Sequence, residues 1–455
     1  MNRIIALLLM CAWSTSAQST PGEDQAGAVR FHLITLDPGH FHAALVQKFM
    51  YPDVDPLVHV YGPDGDDLRQ HLKLIESFNT RSNQPTHWRE QVYTGPDFLQ
   101  KMLADKSGNV VVLAGNNSQK TDYILKSIQA GLNVLADKPM AITPADFEKL
   151  QQAFAAASAN HVLLYDIMTE RYEITTLLQR ELSQRPALFG QLEKGSPDDP
   201  AIVMKSVHYF SKRVAGVPLR RPEWFFDVRQ QGEGMVDVAT HLVDLVQWEA
   251  FPEQVLSDQA INVLGARRWA TPITLKQFQQ VTGSQDFPAF LKPDIKDGVL
   301  QVYANGEFTY RLRGICARVS VGWDFVAPPG CGDTHFSVVR GTKSRLVIRQ
   351  GAEQKYKPVL YVEPLSGTDD AALEQALKIA VNDLQSKYPG VAFQREGKAW
   401  RIVVPSKFDV GHEAHFAQVT ENFLQYLRAG RMPDWEVAGM ITKYATVMQA
   451  YRLSR

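Results

Sequence analysis

A chain of 455 residues is too long for one ordinary hydrophobic core, so two domains are expected. Its 45% hydrophobic and 21% charged residues are those of a globular protein folded in water. A formal net charge of -1 excludes the basic excess of a nucleic-acid binder and of a polybasic membrane surface.

Arg3 forms a short positive start, and Ile4 to Trp13 is an apolar stretch of signal-peptide length, too short to span a bilayer. Ser14-Thr15-Ser16-Ala17 follows, with cleavage expected after Ala17. Met10 before Cys11 argues against a lipoprotein signal, and no arginine pair marks the twin-arginine route. A Sec-type signal peptide at 1–17, a linker at 18–28 and export to the periplasm are expected, against a frayed apolar terminus as the alternative. No later segment reads as a membrane span. After cleavage only Cys316 and Cys331 remain, and an oxidising compartment leaves them free to pair or to stay as thiols.

From Val29 to Tyr165 strand-like and helix-like blocks alternate. Strands are expected at Arg30 to Leu36, Pro56 to Tyr61, Asn109 to Ala114, Asn133 to Ala136 and His161 to Tyr165. Helices are expected at Ala43 to Met50, Asp67 to Phe78, Thr121 to Gly131 and Pro144 to Ser158, the last capped by Thr143. This alternation predicts an α/β unit, a Rossmann-like doubly wound parallel sheet over 29–165. Residues 166–455 read as an α+β domain. It has helices at Glu170 to Leu182, Gly234 to Phe251, His415 to Ala429 and Val437 to Leu453. Strands at Val203 to Phe210, Val299 to Tyr303, Glu307 to Arg313, Ala317 to Phe325, His335 to Arg340 and Arg345 to Ile348 predict a largely antiparallel open sheet. A strand–helix–strand unit at 351–406 reads as an insertion.

The first strand-to-helix turn is where a dinucleotide-binding sheet places its glycines. Here it reads Asp37-Pro38-Gly39-His40-Phe41-His42, a poor match to G-x-G-x-x-G that a simple connecting turn would also explain. His40 and His42 are potential metal ligands without a third partner nearby in sequence, so no metal is expected. Asp137-Lys138-Pro139 follows a parallel strand, where the sheet opens to ligand, and a lysine there can donate to a hydroxyl or carbonyl oxygen. Asp237, His241 and Asp244 are spaced four and three apart, so they share one helix face. His241 is the natural general acid–base, tuned by either acid, while a core histidine satisfied by a carboxylate is an equal alternative. Trp224, Phe225 and Phe226 read as core, with stacking on a sugar face as the alternative, and Arg220 with Arg221 as a solvated pair or a carboxylate binder.

These segments together resemble the Gfo/Idh/MocA oxidoreductases. That family carries an Ala-Gly-rich run before Glu-Lys-Pro, matched by Ala130-Gly131-Leu132-Asn133-Val134 and Asp137-Lys138-Pro139, and a Gly-rich Asp-x-x-x-His-x-x-Asp, matched by Asp237, His241 and Asp244. The run Met440 to Tyr451 resembles its closing helix. The resemblance implies NAD or NADP and a carbohydrate-like small-molecule substrate. It implies catalytic Lys138, His241 and Asp237, cofactor contacts from Gly39, His40, Phe41, Asp64, Asn116, Asn117, Asp137, Lys138 and Pro139, and substrate contacts from Lys138, Asp237, His241 and Asp244. It also implies a homo-oligomer built on the open sheet. The chain departs from the family in its glycine turn, in Asn116-Asn117 for the usual Thr-Pro, in Thr121 for a frequent histidine, and in the position of the ribose-binding acid. A chain secreted unfolded does not carry its cofactor along, so tight capture of nucleotide outside the cytoplasm is expected. Three functions stand open: an oxidoreductase of sugars, polyols or glycosides, a glycoside hydrolase using transient ring oxidation without net redox, and a non-catalytic binding protein.

Overall fold

Short runs of Val, Ile and Leu bounded by turn residues make the N-terminal strands of the computed structural model, which describes residues 30–214 and 217–455. The expected signal segment at 1–17 and linker at 18–28 lie outside the described residues. The strands are β1 (Leu33–Leu36), β2 (Leu57–Tyr61), β3 (Arg89–Tyr93), β4 (Val110–Leu113), β5 (Asn133–Asp137) and β6 (Leu164–Ile167). All pair in parallel, in the order β3-β2-β1-β4-β5-β6. β1, β4 and β6 are buried at every position, because helices cover both faces. Those helices are α1 (His42–Leu45), α2 (Asp66–Thr80), α3 (Phe98–Asp105), α4 (Asn117–Gln129) and α5 (Pro144–Asn160). Thr143 caps α5 as expected, in a capping box with Asp146. The strand order reverses between β1 and β4, which opens a crevice at the carboxyl ends of those strands.

After β6, α6 (Ile174–Ser183) leads into β7 (Ile202–Ser211), a short hairpin of β8 (Arg213–Val214) and β9 (Val217–Pro218), α7 (Val228–Gln231) and α8 (Ala239–Ala250). Then come β10 (Ile261–Thr274), α9 (Leu275–Thr282), β11 (Ile295–Lys296), β12 (Val299–Leu312), β13 (Ile315–Val326), β14 (Thr334–Arg340), β15 (Ser344–Arg349) and β16 (Val359–Pro364). The chain ends with α10 (Asp370–Asp383), β17 (Ala392–Glu396), β18 (Ala399–Val403), α11 (His412–Ala429) and α12 (Asp434–Leu453). One large sheet runs β10-β12-β13-β7-β14-β15-β16-β18-β17, with β11 alongside β12. Only the β13–β7 pair is parallel, so the sheet is largely antiparallel as expected. Burial alternates along β12, and α8 and α12 pack on the covered face.

Several elements differ from expectation. The helix after β1 is a single turn rather than a run to Met50. The strands expected on either side of Ala304-Asn305-Gly306 are one strand, β12, because these residues receive the loop before α8 instead of turning. A Cβ on Gly234 would sit 1.7 Å from the Ala304 carbonyl oxygen, so only glycine lets the two segments meet. The 351–406 segment continues the large sheet through β15–β16 pairing rather than standing apart. Cys316 and Cys331 are unpaired. Cys316 starts β13 and Cys331 lies beyond its far end, and strand rise of roughly 3.3 Å per residue keeps them well apart.

Candidate active site

The turn that follows β1 brings the first departure into physical terms. Asp37 adopts φ 48°, the left-handed conformation that a first glycine would supply, and aspartate tolerates it better than most residues. Gly115, at the end of β4, has no room for a side chain: a Cβ there would lie 2.3 Å from the Asp37 carbonyl oxygen. The β1 turn therefore docks against β4, with the Gly39 and His40 N–H groups both donating to the Ala114 carbonyl at 3.2 and 3.1 Å. Those amides are engaged, and α1 is too short for a strong positive end, so this turn cradles a pyrophosphate less than a glycine-rich loop does.

Two carboxylates flank the same turn. Asp37 accepts from the Tyr123 hydroxyl at 3.1 Å, and Asp67 accepts from the Trp224 indole at 2.9 Å. Burial raises both above the usual carboxylate range, which lessens their repulsion of an anion. Asp67 Oδ2 lies 3.1 Å from where a Gly39 Cβ would be, so it is the acid that reaches the turn. Asp64 does not: it is exposed and paired with Arg69 at 2.8 Å. The acid nearest the turn is thus Asp67, the second residue of α2, rather than the expected Asp64. A carboxylate beside the glycine has the chemistry to accept from a ribose hydroxyl. Asn116 and Asn117 bridge to the second domain: Asn116 donates to Gln230 Oε1 and Asn117 to the Gln231 carbonyl, each at 2.7 Å.

At the end of β5 the expected centre assembles. Lys138 Nζ donates to Asp237 Oδ1 at 2.5 Å, and Gln231 donates to the other Asp237 oxygen at 3.0 Å. Burial alone would lower the lysine, but Asp237 and Asp137 outweigh it and Lys138 stays a cation above its ordinary range. The Asp137 carbonyl accepts from Lys120, a buried lysine whose desolvation brings it down to about 8. His241 stands in the first turn of α8, while Asp237 lies in the turn that precedes the helix. Burial and the nearby Lys138 cation hold His241 well below the ordinary histidine range, so it is neutral, and its buried Nδ1 meets no partner among the described residues. A fixed ammonium beside a neutral imidazole can polarise a carbon–oxygen group and take or return its proton.

Asp244, expected among the substrate contacts, is instead buried with both oxygens engaged. Arg171 grips both its oxygens at 2.6 and 2.7 Å, and Lys443 adds a third contact at 3.0 Å. Lys443 also reaches Asp166 of β6, and the Tyr444 hydroxyl donates to Asp166 while accepting from the Met140 N–H. This buried network ties β6, α8 and α12 to the backbone just beyond Lys138. Arg221 likewise is no carboxylate binder, since it donates to the Tyr209 and Phe210 carbonyls. Phe225 and Phe226 are core, whereas Trp224 is partly buried and spans the domains through Asp67.

Residues that the sequence reading missed complete the surroundings. Glu170 follows β6, partly buried, and burial with Glu173 and Asp333 pushes it up to about 7 against the pull of Lys138. On β7, His208 places Nδ1 3.0 Å from Asp333 and Nε2 2.7 Å from Ser206. On the β1 turn, His42 Nδ1 lies 2.9 Å from Asp137 Oδ2 and His40 Nδ1 3.8 Å from it. The third partner that was absent from the sequence neighbourhood of the two histidines is therefore Asp137, from another strand.

Comparison with known proteins agrees with this architecture. The family model "Putative oxidoreductase C terminal domain" matches residues 178–455, and "Oxidoreductase family, NAD-binding Rossmann fold" matches residues 39–165. The crystal structure of a putative oxidoreductase from Parabacteroides merdae is 54% identical, covers 94% of this chain and 98% of that one, and superposes with TM-score 0.92. GenD2 from gentamicin A biosynthesis, in complex with NAD, is 16% identical over 96% of this chain and 97% of that one, with TM-score 0.56. KijD10, a 3-ketoreductase from Actinomadura kijaniata in complex with NADP, is 13% identical over 92% and 96%, with TM-score 0.54. At those identities the latter two show the shared fold alone. None of the curated proteins matches the chain.

Proposed function

We propose, from the premise that this chain belongs to the Gfo/Idh/MocA family of NAD(P)-dependent oxidoreductases, that it is an exported enzyme acting on a sugar, polyol or glycoside. The observation that carries the reading is the Lys138–Asp237 contact at 2.5 Å, made at the carboxyl end of β5, with neutral His241 within reach of the lysine's charge. Gly39 and Asp67 would hold the nucleoside side of the dinucleotide, and Asp137 and Pro139 would line its nicotinamide side. The bound nicotinamide supplies reversible hydride acceptance. Lys138 donates to the substrate oxygen, stabilising negative charge as the hydroxyl proton leaves. His241 takes that proton, and Asp237 fixes the lysine. Run in reverse, the same groups reduce a ketone. The signal segment at 1–17 supports export, and nucleotide held tightly through turnover fits an enzyme working away from the cytoplasmic pool.

Glu170 favours a second reading. A simple alcohol oxidation needs one acid–base group, and Glu170, a carboxyl that follows β6, is raised to about 7 by burial and is within reach of the Lys138 charge, which makes it a further one. Oxidation of a ring carbon acidifies the neighbouring C–H; Glu170 could take that proton as the glycosidic bond breaks. Water then adds and hydride returns, so a glycoside is hydrolysed with no net redox. Incubating the enzyme with free sugars, polyols and glycosides decides between these. Net NAD(P)H formation supports the oxidoreductase, and sugar release without it supports the second reading. Neither, with nucleotide bound, would remove both.

A further inference from the structure

We propose that His40, His42 and Asp137 form a binding site for one divalent transition-metal ion, of the zinc or cobalt kind. Two imidazoles and one carboxylate are a common ligand set for such ions, with coordination positions left for water or another oxygen. The three donor atoms lie within 4.8 Å of one another. A tetrahedral ion with bonds of roughly 2.1 Å places its ligands about 3.4 Å apart. The separations of 2.9 and 3.8 Å from Asp137 Oδ2 to His42 and His40 straddle that value, so small side-chain adjustments suffice.

The surroundings suit the role. The two Nδ1 atoms face one carboxylate oxygen; His42 Nδ1 bonds to it and His40 Nδ1 accepts from the His42 N–H at 3.4 Å, so a bound ion would displace one ring proton and one weak hydrogen bond. Asp137 is held from behind, since its own carbonyl accepts from Lys120. The His42 ring packs on Phe416 and lies 5.7 Å from the ring of His412, at the start of α11. Lys138 and Lys120 oppose a cation here, and the carboxylates of Asp137 and Asp237 offset them. The two histidines occupy the turn where glycines would meet the cofactor and Asp137 ends β5, so the ion would sit at the mouth of the same crevice. This assignment does not depend on the identity of the substrate.

The test is a Co2+ titration of the untagged, chelator-treated full chain, followed by visible absorption. The proposal expects a saturable d–d spectrum at about one ion per chain, displaced by Zn2+. It also expects at least tenfold weaker binding in His40→Ala and in the gentler His40→Gln. His40 is partly exposed on a turn, so both variants should fold, which thermal unfolding checks. Absence of a saturable spectrum, or equal affinity in both variants and the parent, would overturn the site. Because the readout is the bound ion's own spectrum and needs no turnover, the result is independent of the oxidoreductase reading.

Discussion

Lys138 and His241 divide the work by charge state. The lysine remains protonated because two carboxylates face it, and the histidine remains neutral because burial and that lysine forbid a second cation. Lys138→Met should therefore lower kcat by roughly 10²–10⁴-fold with nucleotide binding retained, and His241→Asn should do the same. Steady-state kinetics beside a nucleotide titration separates this from a binding defect. Glu170, raised to about 7, should place a limb in the pH–rate profile near neutrality if it acts on substrate. Glu170→Gln should erase that limb; an unchanged profile would confine Glu170 to a bystander. Lys138, Asp237 and His241 were legible because short motifs carry them. Asp67, Glu170 and Asp137 as the histidines' partner were not, since each is brought in by another strand or helix and has no local spacing signal.

Among the elements, the joint between β6, α8 and α12 fixes the catalytic end of β5. Arg171 and Lys443 meet Asp244 from 73 and 199 residues away, which is why neither the helix spacing nor the resemblance placed Asp244 in this network. Despite burial, the two cations hold Asp244 well below the usual carboxylate range. Its stabilising effect is thus complete above the ordinary aspartate value near 4 and is lost only as pH falls toward its lower folded value. Asp244→Asn leaves two buried cations short of a partner and should cost about 3–5 kcal/mol, readable by denaturant unfolding. A loss below 1 kcal/mol would mean the network is slack. The parallel sheet was legible from apolar runs and Gly stops. β3 and β10 were not, because β3 is largely exposed and β10 alternates weakly with many half-exposed positions.

At the scale of the whole molecule, histidines shape the response to acid. Burial lowers His71 and His415 to about 4, and His40, His42 and His241 are lowered as well. The unfolded chain takes up these protons first as pH drops, so stability is level above about 6.5 and declines below it. Each histidine contributes up to about 1.4 kcal/mol per pH unit until its folded value is reached. Melting temperature should fall between pH 6.5 and 5, where these histidines outnumber the carboxyls raised to about 7, Glu90 and Glu170, whose protonation in the folded chain acts the other way; a flat profile there would show that these rings are solvated.

The two domains meet over the crevice between β1 and β4, where Trp224 of one reaches Asp67 of the other, and the account depends on a dinucleotide lying beneath that contact. Denaturing the purified mature chain and weighing what it releases by mass spectrometry addresses this most directly. About one NAD or NADP per chain is the predicted result, with release weakened in Asp67→Ala. No nucleotide released, and none bound when NAD and NADP are added, would contradict the account.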